Sequence, residues 1–212
     1  MEHIDHFMIA ANDLDRLSQH FITMSGIPVA DGGVHPDQGT HNKLVATTSS
    51  TYLQFIAPKP DLEIDSELRA SIVPLEQPQL HRIIALGELD RFPDIVEAYQ
   101  RFSISATVKP WSRKLPTGGV LNWHLLVPAV DNPYGIFAPW FIDWGTTTHP
   151  SRSLPPAPCS IAGCHATHTD PNGIRALWDE IGFDLPLEAS LVARVTLSLD
   201  TPKGMVEFHS TP

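Results

Sequence analysis

His35 and His41 flank a Pro36-Asp37-Gln38-Gly39 run in the stretch GGVHPDQGTHN, Gly32 to Asn42. Two imidazoles this close in sequence could share a metal ion if the backbone turned both to one side. Pro36 presets φ and Gly39 admits a positive φ, so PDQG reads as a tight turn that sends the two histidines onto different strands. His35, just before the turn, is the better candidate for ligand contact; its plainer role is a hydrogen bond that steadies the turn. His165 and His168 pose the same question. Three apart on a strand they face opposite sides, and CSIAGCHATHTD reads as a strand running into a helix cap, so they are not read as a ligand pair. For His124, in LNWHLL, the pattern assigns no side. Cys159 and Cys164 lack the second pair that a tetrahedral zinc site needs. They are read as free thiols of a reducing, cytoplasmic setting. Trp123, Trp140, Phe141 and Trp144 could wall an apolar pocket or simply fill a core. P-loop, G-x-S-x-G and H-E-x-x-H signatures do not occur, which removes three common enzyme classes.

These residues lie in a pattern that recurs. HIDHFMIAA has the β-rich, apolar composition of a buried strand, and Asp13 is placed to cap a helix carrying Leu14, Leu17, Phe21 and Ile22 on one face. Gly26 ends it, and strand-like segments follow around Val29, in HNKLVATT and in TYLQFIAP. A second copy starts at LHRIIALGELDRF. Laid under DHFMIAANDLDRL without a gap, it puts His6 over His81, Ile9 over Ile84, Ala10 over Ala85 and Leu14-Asp15-Arg16 over Leu89-Asp90-Arg91. Identities in one register point to an internal repeat. Its helix uses Phe92, Ile95, Val96 and Tyr99; SATVKPW and GGVLNWHLLVP, joined through a PTGG turn, and APWFIDW are its strands. A third, shorter copy begins at CSIAGCHATHTD, with Asp170 as cap and Pro171 in the first turn, and ends in LVARVTLSL and GMVEFHS.

The expected class is therefore α+β, built of repeated βαβββ modules whose curled mixed sheets form a cleft with helices outside. Residues 1–60 form the first module and 61–78 a proline-rich connector. Residues 79–146 form the second module, 147–158 another connector, and 159–212 a shorter βαββ module, all in one domain. The connectors read as ordered linkers or as lids. A formal net charge of −10 and the lack of any Lys/Arg run argue against a nucleic-acid partner. No apolar run approaches a membrane span, and MEHIDHFMIA is not a signal peptide.

IDHFMIAANDLD, GGVHPDQGTHNKLV, TYLQFIAP, LPTGGVLNWHLL, GIFAPWFIDWGTTTHP, HTDPNGI and TPKGMVEF, in that order, resemble glyoxalase-like domain proteins of the vicinal oxygen chelate superfamily. The likeness covers almost the whole chain. It implies a small-molecule partner and often a homodimer. It also implies a divalent ion (Mn, Fe, Ni or Zn), held by His, Gln or Glu from the first and last strands of two paired modules and chelated by two substrate oxygens. On these positions stand His6 and Gln54 in the first module and His81 in the second. A fourth ligand would come from around Asp143 or from Glu207. Gln54 departs from the Glu of many relatives and brings no charge. If they are not ligands, Gln54, Asp143 or Glu207 could carry a proton. By resemblance Thr40 and Asn42, on one face of their strand, line the cleft. Two classes stay open: a metal-dependent lyase, isomerase or dioxygenase, and a metal-free protein that sequesters a small organic ligand.

Overall fold

The computed structural model describes residues 3–48, 50–115 and 118–211; Pro116 and Thr117 of the PTGG turn lie outside the described residues. The chain runs β1 (Ile4–Ala10), α1 (Leu14–Ser25), β2 (Ala30–His35), β3 (Thr40–Ala46), β4 (Tyr52–Pro58) and α2 (Glu67–Ile72). It continues with β5 (Gln79–Leu86), α3 (Phe92–Arg101), β6 (Ala106–Lys114), β7 (Val120–Pro128) and β8 (Trp140–Asp143). Last come β9 (Ser160–His168), α4 (Pro171–Ile181), β10 (Leu187–Ala189), β11 (Arg194–Thr201) and β12 (Gly204–His209).

The helix ends follow local chemistry. Asp13 Oδ1 accepts the Arg16 N–H and Gly26 closes α1 in the left-handed region at φ 75°. Asp170 and Gly182 do the same for α4. Each such cap contributes about 1 kcal/mol. PDQ makes one 3₁₀ turn, and Gly39 leaves it at φ 61°.

Eight strands close a barrel in the order β1-β4-β3-β2-β6-β7-β8-β5. β1 lies parallel to β4 and antiparallel to β5, and Val34 of β2 meets Lys114 of β6. Both seams are thus made within one chain. The expected open cleft is instead a barrel interior, because pairing at both seams leaves no free edge. The remaining strands form a separate sheet, β10-β9-β11-β12. It holds one more strand than anticipated, the three-residue β10, which pairs with β9. This sheet and α1 cover the barrel: Phe21 packs on Phe55 of β4 and on Phe208 of β12, at 4.8 and 6.3 Å between ring centroids. β1 and β4 are buried on both faces, which is why their sequences are nearly continuous apolar runs. The connector after β4 is neither a plain linker nor wholly outside. Its helix α2 drops Leu68 and Ile72 into the interior cluster with Met8, Ile56 and Trp140. Among the described residues, no helix is long and apolar enough to cross a membrane.

The β1–β5 seam carries two register shifts, one between Ile4 and His6 and one between Met8 and Ile9. In the first, Ile4 pairs with Ala85 and His6 with Ile84, so Asp5 is the extra residue. In the second, Met8 pairs with Arg82 and Ile9 with Leu80, so His81 is the extra residue. A bulge re-aims the side chain it adds.

Candidate functional site

The barrel interior holds a narrow slot with an open mouth. β1 supplies His6 and Met8 to it, and β4 supplies Tyr52, Gln54 and Ile56, each set spaced by two as strand geometry requires. Trp111, Trp123, Trp140 and Trp144 wall the opposite side.

At one end a buried carboxylate organises the polar groups. Asp5, re-aimed by its bulge, accepts from His6 Nδ1 at 2.5 Å through Oδ1. Its Oδ2 accepts from Trp144 Nε1 and His149 Nε2, both at 2.8 Å. Burial alone would raise the Asp5 pKa, but the bonds from His149 and His6 outweigh it and hold the group down at about 2. Asp5 is thus ionised and can only accept, so Nδ1 carries the hydrogen of this bond, and in the neutral imidazole Nε2 is the acceptor of a ring that lines the slot. The imidazole also stacks on Tyr52, 4.6 Å between centroids. His149 comes from the second connector. Its Nδ1 accepts from the Ser151 N–H at 3.3 Å, which fixes Nε2 as the donor to Asp5.

Along the wall lies Arg113, only 5% exposed. Its Nη1 reaches Asn42 Oδ1 at 3.5 Å, its Nε is buried without a partner, and burial pulls its pKa below the usual guanidinium value. Among the described residues no carboxylate pairs with it. Two glycines make its place. A Cβ at Gly32 would stand 2.1 Å from Asn42 Oδ1, and one at Gly33 would stand 2.2 Å from the Lys114 carbonyl oxygen and 2.9 Å from Arg113 Cγ. Gln54 Oε1, Trp123 Nε1 and Asn42 Nδ2 are likewise buried without a protein partner. Buried polar atoms left so are uncommon and point to a ligand or water. His35, also on the wall, bonds Thr40 Oγ1 at 3.0 Å, and burial followed by the nearby Arg113 charge pushes its pKa down to about 3. It is neutral.

Leu68, Trp111 and Trp140 line both the slot and an outer groove of about 1170 Å³, counting open solvent. Asp37, Asp65 and Glu67 rim that groove, and among the described residues Lys109 is the cation that lines it.

A family model described as "Glyoxalase-like domain" matches residues 4–182. The chain belongs to the glyoxalase-like domain family. Its fold is similar to that of a hypothetical protein from Staphylococcus aureus. That likeness has a TM-score of 0.63 at 16% identity, over 98% of this chain and 85% of that one. Methylmalonyl-CoA epimerase from Mycobacterium tuberculosis matches at TM-score 0.46 and 16% identity, over 66% and 85% of the two chains. The Streptomyces coelicolor methylmalonyl-CoA epimerase, in complex with 2-nitronate-propionyl-CoA, matches at 0.48 and 18%, over 68% and 95%. No curated protein matches the sequence significantly.

Of the ligand set that the glyoxalase-like resemblance implied, the fold brings only His6 and Gln54 into the slot. His81 stays outside it: its Nε2 meets Ser71 Oγ of α2 at 3.0 Å, and burial drives its pKa down to about 3. Asp143, at the end of β8, accepts the Leu89 and Gly145 N–H groups at 2.8 and 2.6 Å and so serves as a turn cap. Glu207 stands exposed on β12, in the separate sheet, taking the Ser198 hydroxyl at 2.8 Å. The second half of the seam offers Ile84, Trp140 and Ile142 to the slot, none of them a metal donor. His35, Trp123 and Trp144 do line it; Thr40 and Asn42 stand one layer behind, holding His35 and Arg113. Phe141 turns to the outer core. Among the described residues no three His, Cys, Asp or Glu side chains converge as a metal site. None of the described residues that line the slot is a carboxylate, Arg113 brings a cation into it, and the neighbouring Asp5 carboxylate already accepts three hydrogen bonds. This set does not fit a divalent ion.

Trp111, Arg113, Asp5 and His149 are site residues that sequence reading did not single out. Trp111 and Arg113 had a findable signal: two apart on one strand, they share a face. Asp5 and His149 had none.

Proposed function

We propose that the barrel slot takes a small organic carboxylate, with Arg113 as its counter-ion and the tryptophans enclosing its apolar part. The observation that carries this reading is the buried Arg113 with no acidic partner. An uncompensated buried cation costs several kcal/mol, and a ligand carboxylate supplies the missing charge through hydrogen bonds that guanidinium geometry favours. The unpartnered Trp123 N–H suits a ligand with an acceptor, such as a carbonyl oxygen, near the carboxylate. The family's range of metal-dependent chemistries does not select among substrates; the slot's own charge does.

Binding is measured by quenching of tryptophan fluorescence, since four tryptophans wall the slot, or by calorimetry. The panel pairs carboxylic acids (benzoate, phenylpyruvate, 2-oxobutyrate) with their amides. The acids bind and the amides do not. Arg113→Met weakens the acids by about 2–5 kcal/mol, the range for removing one partner of a buried charge pair. Equal binding of acid and amide, or an unchanged affinity in Arg113→Met, would refute the reading.

A further inference from the structure

We propose that the slot catalyses metal-independent proton transfer at carbon, with His6 as the base. The inference rests on the carboxylate reading above and names the substrate class: a carboxylic acid with a carbonyl beside an acidic C–H, as in a 2-oxo acid. Three features carry it. The Asp5 carboxylate takes the Nδ1–H of His6 and so leaves Nε2 as a proton acceptor within the slot. Asp5 is itself held by Trp144 and His149, so the carboxylate that orients the ring cannot turn without breaking three hydrogen bonds. Arg113 and the unpartnered Trp123 Nε1–H line the same slot, a cation for the carboxylate and a donor for a developing oxyanion.

The step balances without an oxidant, a reductant or a metal. His6 Nε2 takes the C3 proton of the 2-oxo acid. The electron pair of that C–H bond forms the C2–C3 double bond, and the carbonyl π pair moves onto oxygen, giving an enolate that faces the Trp123 N–H. Return of a proton from His6 to C3 restores the acid. In heavy water the returned hydron is deuterium. His6 is the catalytic residue; Asp5, Trp144 and His149 are positioning residues.

The test uses the full chain, dialysed against EDTA, with 2-oxobutyrate or phenylpyruvate in heavy water. Loss of the C3–H signal is followed by proton NMR, and the dissociation constant is measured in parallel. Wild type exchanges at least about 100-fold faster than His6→Gln, the lower range for a general base, and deuterates one of the two C3 positions of 2-oxobutyrate preferentially. Asp5→Asn and His149→Phe lower the exchange rate at saturation and leave the dissociation constant unchanged, a split that simple unfolding would not give. Should Asp5→Asn fail to fold, His149→Phe, which keeps an aromatic ring and removes one donor to Asp5, carries the test. Acids that bind yet exchange no faster than with His6→Gln would overturn this proposal alone. So would exchange that EDTA abolishes and a divalent metal restores. If neither acid binds, the carboxylate reading falls too.

Discussion

Acidification from pH 7 to pH 5 should strip the fold of a large part of its stability, through two histidines. His35 and His81 each have a pKa near 3, against an ordinary 6.5. Burial is the main cause for both. The charge of Arg113 adds to it at His35, and that of Arg82 at His81. Their folded-state values are depressed, so the unfolded chain takes up protons that the native chain refuses. Their stabilising contribution is complete above pH 6.5 and shrinks as the pH falls from there toward 3. At pH 5 each has lost about 2 kcal/mol, together about 4 kcal/mol, out of a total that is ordinarily about 5–15 kcal/mol. His41, half-buried and also shifted down, acts in the same direction. Asp5, held at about 2, adds nothing in this window; its contribution is lost only below its ordinary value of 3.8. The assay is urea unfolding followed by tryptophan fluorescence at several pH values, in wild type and in His35→Gln/His81→Gln, which keeps hydrogen-bonding groups but does not titrate. Wild type loses stability on acidification, and the double variant loses much less. A flat profile in wild type, or the same slope in both proteins, would refute the reasoning.

Gly32→Ala should cost about 1–3 kcal/mol by overpacking and weaken carboxylate binding, because the new methyl would meet Asn42 Oδ1 at 2.1 Å; thermal unfolding and the binding titration check both. Cys159 and Cys164 are buried, and burial pushes their pKa values up to about 11 and 12. A thiol reagent at mildly alkaline pH should therefore label neither in the native protein and both in urea, and rapid native labelling would contradict the burial. Leu68→Ala, in the helix that stoppers the barrel, should cost about 2–5 kcal/mol and admit bulkier acids, read by the ratio of phenylpyruvate to 2-oxobutyrate affinity.

Most of the secondary structure was legible because it is set locally. Asp13 and Asp170 cap helices, Gly26 and Gly182 end them, and PDQG turns where Pro36 and Gly39 dictate. The site was half legible. Gln54 and Trp123 lie in the slot because alternation along β4 and β7 places them there, and His6, His35 and Trp144 join them from a bulged strand, a strand end and the residue after β8. The alignment of His6 with His81 is real in the sequence, yet the β1–β5 pairing takes one extra residue on each strand, Asp5 on β1 and His81 on β5, and only His6 of the two aligned histidines lines the slot. Composition does not encode a one-residue register shift, which is settled by how two strands far apart in sequence dock. His149 escaped notice for a related reason: it reaches Asp5 from a connector that carries no strand or helix pattern pointing there. Arg113 needed only the recognition that β6 continues to Lys114 past Trp111.

The acidic rim of the outer groove has a kinetic consequence. An anion approaching the groove that shares Leu68, Trp111 and Trp140 with the slot meets Asp37, Asp65 and Glu67, on a chain of net charge −10. Its diffusional encounter is slowed by repulsion over roughly 10 Å, the screening distance at about 0.1 M salt. Added salt therefore speeds association, whereas the pairing inside the barrel is shielded from it. Residence time and arrival rate are then set by different charges, one buried and one on the surface, and can be tuned apart.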